Sequence, residues 1–145
     1  MIANNVRDLV GNTPLYEITS FDLPAGTRIL AKLEWMNPGG SVKDRLGIQL
    51  VDAAIENGHV TPGGTIIEPT AGNTGIGLAL AAQKYDLQVL CVVPEKFSQE
   101  KQTLMRALGA TGVNTPTELD MQGALDRAKN LGSEIPTSPV PVKFQ

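Results

Sequence analysis

Between Gly26 and the run Asn37-Pro38-Gly39-Gly40, residues 28–34 alternate apolar and polar positions, a pattern that predicts a strand feeding a tight glycine-rich loop. Beyond the loop the period changes. Leu46, Leu50, Ala53 and Ala54 fall on one helical face, with Ser41 in the N-cap position, Asp44 three residues later as in a capping box, and Gly58 as the stop. From Thr65 the pattern alternates twice: strand 65–68, helix 74–84, strand 88–93, helix 98–108 closed by Gly109. A weaker strand over 112–115 and an amphipathic helix over 118–131 complete a third round. Strands alternating with helices throughout imply a parallel α/β sheet with helices on its faces, a three-layer arrangement. Connections of this kind are right-handed, and ligands gather beyond the carboxyl ends of the strands, where loops meet helix N-termini.

Composition narrows the chemistry. The 145 residues are 41% hydrophobic and 19% charged, as in a folded globular domain. A net charge of -3 offers no basic field for a phosphate backbone, so nucleic acid is not an expected partner. No apolar run approaches the ~20 residues needed to cross a bilayer, and the first residues lack a charged-then-apolar leader pattern, so a cytoplasmic protein is expected. Cys91 lies inside the apolar strand 88–93 and is expected to be inert core. His59 follows Gly58 and is expected at the surface. With one cysteine and one histidine, multi-histidine metal sites and histidine-based triads have no material, and no metal is expected.

Two segments carry candidate chemistry. In the run 37–45, Lys43 falls in the first turn of a helix directly after a flexible loop. The helix macrodipole disfavours a cation there and favours the neutral amine that Schiff-base chemistry requires, although a solvated lysine is the ordinary outcome at such a position. The run 68–77 joins a strand end to an apolar helix through Thr70, Ala71, Gly72, Asn73 and Thr74. Backbone N–H groups at that helix start, with two hydroxyls and an amide, suit a carboxylate or a phosphate, while Gly75 and Gly77 allow the helix to pack closely. Neither Gly-x-Gly-x-x-Gly nor Gly-Lys-Ser/Thr is present, which removes the main support for nucleotide binding.

Taken together these segments resemble the cysteine synthase and cystathionine β-synthase family of fold-type II pyridoxal-phosphate enzymes. The likeness also covers Gly11-Asn12-Thr13-Pro14-Leu15, Val93-Pro94-Glu95 and Met105-Arg106-Ala107-Leu108-Gly109-Ala110, nearly the whole chain. Related threonine synthases and dehydratases differ around the lysine and the Gly-Asn turn, which favours β-replacement over elimination. The resemblance implies a pyridoxal 5'-phosphate cofactor carried by Lys43, which also removes the substrate Cα proton. It implies that Asn73 hydrogen-bonds the cofactor ring hydroxyl and that Thr70, Ala71, Gly72 and Thr74 hold the amino-acid carboxylate. The expected reaction is β-replacement on O-acetylserine or serine with homocysteine or sulfide, giving cystathionine or cysteine, by a cytoplasmic homodimer whose partners are small molecules.

Ala71 stands where many cysteine synthases have serine, a feature that resembles the O-acetylserine-dependent cystathionine β-synthase subgroup. Lys143 stands near a position where the family commonly has a carboxylate-binding glutamine. Family chains are longer, and residues 133–145 stop on an apolar stretch, so the chain is expected to be cut: 1–36 would belong to the larger cofactor domain and 37–145 to a smaller mobile substrate domain. The cofactor-phosphate loop and the pyridine-nitrogen partner would lie in the missing part, and the isolated chain would be inactive. A binding or regulatory module with no chemistry of its own is the alternative.

Overall fold

The structure, a computed structural model, describes residues 2–70 and 72–135. Its centre is a parallel sheet of β3 (Thr65–Pro69), β4 (Gln88–Pro94) and β5 (Thr111–Thr115), in that order, with Thr65 beside Gln88 and Leu90 beside Thr111. Side chains alternate between faces with period two. Ile66, Val89, Cys91 and Val93 therefore point one way and Ile67 and Val92 the other, each set into its own core. The first core is closed by α2 (Asn73–Ala82) and α3 (Gln99–Ala107), the second by Ala124, Ala128 and Leu131 of α4 (Asp120–Glu134).

α2 is apolar all round because it is covered on two sides. Every residue from Thr74 to Ala82 is buried between the sheet and α1 (Lys43–Glu56). Gly109, at φ +93, turns the chain out of α3 as expected, and the Ser98 hydroxyl caps that helix by accepting from the Lys101 amide. Among the described residues no helix is long and apolar enough to cross a membrane.

Three expectations are corrected. The parallel arrangement does not extend to the N-terminal strands: β1 (Leu15–Ile18) pairs antiparallel with β2 (Ile29–Lys32) in a separate two-stranded sheet. The connection over 19–28 contains no helix, and only an antiparallel pair closes without a crossover. Second, the strand expected over 28–34 is shorter, and residues Glu34–Met36 form a 3-10 turn. Third, Ser41 and Asp44 do not form a capping box. α1 begins at Lys43, the Ser41 hydroxyl accepts from the Lys43 amide at 3.2 Å, and the Asp44 carboxylate accepts instead from the Gly39 amide at 2.5 Å. A Cβ on Gly39 would collide with that carboxylate, so the glycine is what lets the loop fold back onto the helix. Cys91 is fully buried, its thiol pushed up to about 12 by desolvation and by the nearby Glu68 charge, and His59 is exposed. Lys143 and most of the 133–145 tail lie outside the described residues, as does Ala71.

Candidate active site

The position of Lys43 is set by a contact between two helices. A Cβ on Gly47 would strike the Gly77 carbonyl, and one on Gly77 would strike the Lys43 carbonyl, so α1 and α2 touch backbone to backbone at the start of α1. Gly75 does the same on the inner side of α2: a Cβ there would lie 2.8 Å from the Thr70 methyl, 2.9 Å from Met105 Sδ and 3.0 Å from Cys91 Sγ. The apolar helix is thus clamped between its neighbours, and its N-terminus is presented beside Lys43.

The turn from β3 into α2 is held by its own backbone. The Thr70 amide donates to the Val92 carbonyl at 3.0 Å, the Gly72 amide to Thr70 Oγ1 at 3.2 Å and the Gly75 amide to the Gly72 carbonyl at 3.0 Å. Gly72 occupies the N-cap and brings no side chain to close the helix end, so the positive end of α2 opens outward. A cleft of about 540 Å³ lies there, walled by Ser41, Lys43, Thr70, Gly72, Asn73 and Thr74. Lys101, Met121 and Leu125, from α3 and α4, form its far side. Among the described residues its lining carries two ammonium groups and no carboxylate, a composition that suits an anionic ligand close to a reactive amine.

The start of α1 is anchored from behind by a polar network. Glu34 accepts from Arg45 (2.9 and 3.1 Å), from the Thr13 hydroxyl (2.6 Å) and from the Asn37 amide (2.9 Å), while Asn37 Oδ1 accepts from the Gly11 amide at 2.8 Å. The Arg45 and Thr13 hydrogen bonds hold the Glu34 carboxyl at about 2, against burial, which acts the other way. This network gives a physical role to the segments Gly11–Leu15 and Asn37–Arg45: they fix the loop and helix from which Lys43 projects.

Lys43, Thr70, Gly72, Asn73 and Thr74, singled out from the sequence, line one cleft. Lys101, Met121, Leu125 and Glu34 were not singled out. Lys101 lies in the helix after β4, and Met121 and Leu125 lie in the helix after β5; the rule that ligands gather at the carboxyl ends of parallel strands points toward that region. Glu34 carried no such signal, because its partners are scattered over 32 positions of chain between Thr13 and Arg45.

The sequence matches the family described as pyridoxal-phosphate dependent enzyme over residues 6–142. The chain belongs to that family. It is 52% identical over 144 residues to the O-acetylserine dependent cystathionine beta-synthase of Bacillus subtilis, covering 99% of this chain and 47% of that protein. It is 51% identical to a cysteine synthase of Helicobacter pylori, covering 100% of this chain and 48% of the other. Among solved structures, the O-acetylserine dependent cystathionine beta-synthase of Helicobacter pylori superposes with a TM-score of 0.93 at 50% identity, covering 100% and 48% of the two chains. A cystathionine beta-synthase of Bacillus anthracis superposes at 0.82 with 63% identity, covering 99% and 54%. The fold is that of the N-terminal part of a fold-type II pyridoxal-phosphate enzyme, and the chain spans about half the length of the curated relatives it matches. Among the described residues, Lys43 stands beside the open N-terminal end of α2 in a cleft with no acidic lining side chain, an arrangement able to take an aldehyde and an anion side by side.

Proposed function

We propose that the whole protein catalyses β-replacement on O-acetylserine or serine with homocysteine or sulfide, forming cystathionine or cysteine. The observation that carries this reading is the convergence of Lys43 with the Thr70–Thr74 turn in one cleft of a pyridoxal-phosphate family member. Lys43 is the covalent attachment point and then the base that takes the Cα proton. Asn73 hydrogen-bonds the ring hydroxyl, and Thr70, Ala71, Gly72 and Thr74 hold the amino-acid carboxylate at the α2 N-terminus. Pyridoxal phosphate, when bound, supplies the electron sink. With the carboxylate fixed, Lys43 meets one face of Cα and takes its proton, the β-acetoxy or β-hydroxyl group leaves, the thiol adds to the vacated β-carbon, and Lys43 returns the proton to Cα.

The same proposal assigns residues 1–36 to a larger cofactor domain and 37–145 to a smaller, mobile substrate domain, in a cytoplasmic homodimer that acts on small molecules. The separate β1–β2 sheet, with Leu15, Tyr16, Leu30, Trp35 and Met36 exposed on and after it, supports that division, since such a surface suits burial against further chain.

The test is the visible absorption of the full-length protein after addition of pyridoxal phosphate. A Lys43-dependent band, lost together with β-replacement in Lys43→Ala while the melting temperature is kept, is the expected result. A band and turnover that survive the substitution would remove Lys43 from its role.

A further inference from the structure

The far wall of the cleft holds a second cation. Lys101 is half-buried in the first turn of α3, and its side chain reaches across to the α2 N-cap: a Cβ placed on Gly72 would lie 3.1 Å from Lys101 Nζ and 3.1 Å from its Cδ. Its neighbours of like charge are satisfied, Lys96 by Asp120 at 2.8 Å and Arg106 by the Thr103 hydroxyl at 3.1 Å. Among the described residues the Lys101 ammonium enters no ion pair and no side-chain hydrogen bond, and its amide donates to the Ser98 hydroxyl. The macrodipole disfavours an ammonium in the first turn of α3, and placing it against the N-terminus of α2 adds a second unfavourable field. Among the described residues no acid lines the cleft to compensate. The arrangement is complementary to a negative charge supplied from outside.

Resting on the reading of this cleft given above, we infer that Lys101 binds the carboxylate of the amino-acid substrate from the side opposite the α2 backbone amides and selects free amino acids over uncharged analogues. The N-terminal end of α2 meets the carboxylate along the helix axis, and the ammonium closes over it across Gly72. A side chain at 72 would project toward the Lys101 ammonium, into the space between it and the α2 N-terminus. Sulfide carries no such group, so this contact acts on the amino-acid step.

The test is equilibrium binding of L-methionine and of L-methioninamide to the full-length protein, followed calorimetrically, with wild type, Lys101→Met and Lys101→Arg. A charge-assisted contact in a partly exposed cleft is worth about tenfold in affinity. The acid-to-amide preference is expected to fall about tenfold in Lys101→Met and to recover in Lys101→Arg, with the Lys43-dependent absorption band unchanged in all three. An equal preference in wild type and Lys101→Met would overturn the role of Lys101 alone. A wild-type protein that shows the absorption band but does not prefer acid to amide would overturn the carboxylate subsite altogether.

Discussion

Glu34 joins Arg45, Thr13 and Asn37 in one cluster, and its charge is what the cluster is built around. Its folded pKa of about 2 lies below the ordinary 4.5, so its contribution to stability is complete above pH 4.5 and is lost as the pH falls toward 2. Glu34→Gln should lower the melting temperature at pH 7, with the difference from wild type closing between pH 4.5 and 2; a pH-independent difference would mean that the charge is not the source. At Asn73, removal of one hydrogen bond of about 1 kcal/mol net should move the maximum of the absorption band and slow turnover less than tenfold in Asn73→Ala, whereas an unaltered spectrum would count against the contact. On the proposed reading, alanine at 71 lacks the hydroxyl that serine would bring, and the smaller side chain is expected to favour a bulkier acceptor. Homocysteine is therefore expected to be a competent acceptor in the full-length protein, and Ala71→Ser should shift the ratio of kcat/KM values toward sulfide; steady-state rates with both acceptors decide it. The site was legible as far as it was local. Lys43 and the 70–74 turn stood out because each is a loop feeding a helix start, but Lys101 and Glu34 act only through neighbours that the fold brings in.

At the level of elements, α1 and α2 behave as one piece because Gly47 and Gly77 leave no side chain between them. Gly77→Ala would drive a methyl into the Lys43 carbonyl, with a cost of about 1–3 kcal/mol as for other overpacked positions. The expected result is a lower urea midpoint together with weaker pyridoxal-phosphate binding, since the same contact positions Lys43; a stability loss with cofactor affinity intact would separate the two. The helices and the three parallel strands were readable from periodicity because each buries a regular face, as Ile66 and Ile67 show by entering different cores. β1 was not readable. Its residues Leu15, Tyr16 and Glu17 are all exposed in this chain, so no alternation between core and solvent marks it. The misassigned capping box has a comparable cause, for the Asp44 carboxylate takes the Gly39 amide of the folded-back loop, a partner that the linear pattern did not show.

For the whole molecule, two regions meet solvent differently. The β1–β2 sheet and the turn after it expose Leu15 (60%), Tyr16 (58%) and Trp35 (65%), apolar side chains to which a hydrophobic dye can bind. The 145-residue chain alone should enhance dye fluorescence well above the full-length protein; equal signals would mean that this surface stays open in both. At the other extreme lies Cys91, sealed between β4, α2 and α3 and held protonated by burial. With its pKa near 12 rather than 9, the thiolate fraction at pH 8 falls roughly a thousandfold, so alkylation waits for the layer under α2 to open. The chain thus carries a built-in clock for breathing of the substrate helix. Iodoacetamide labelling of the full-length protein should slow further when an amino acid occupies the cleft, because a ligand on the N-terminus of α2 also holds shut the floor on which that helix rests.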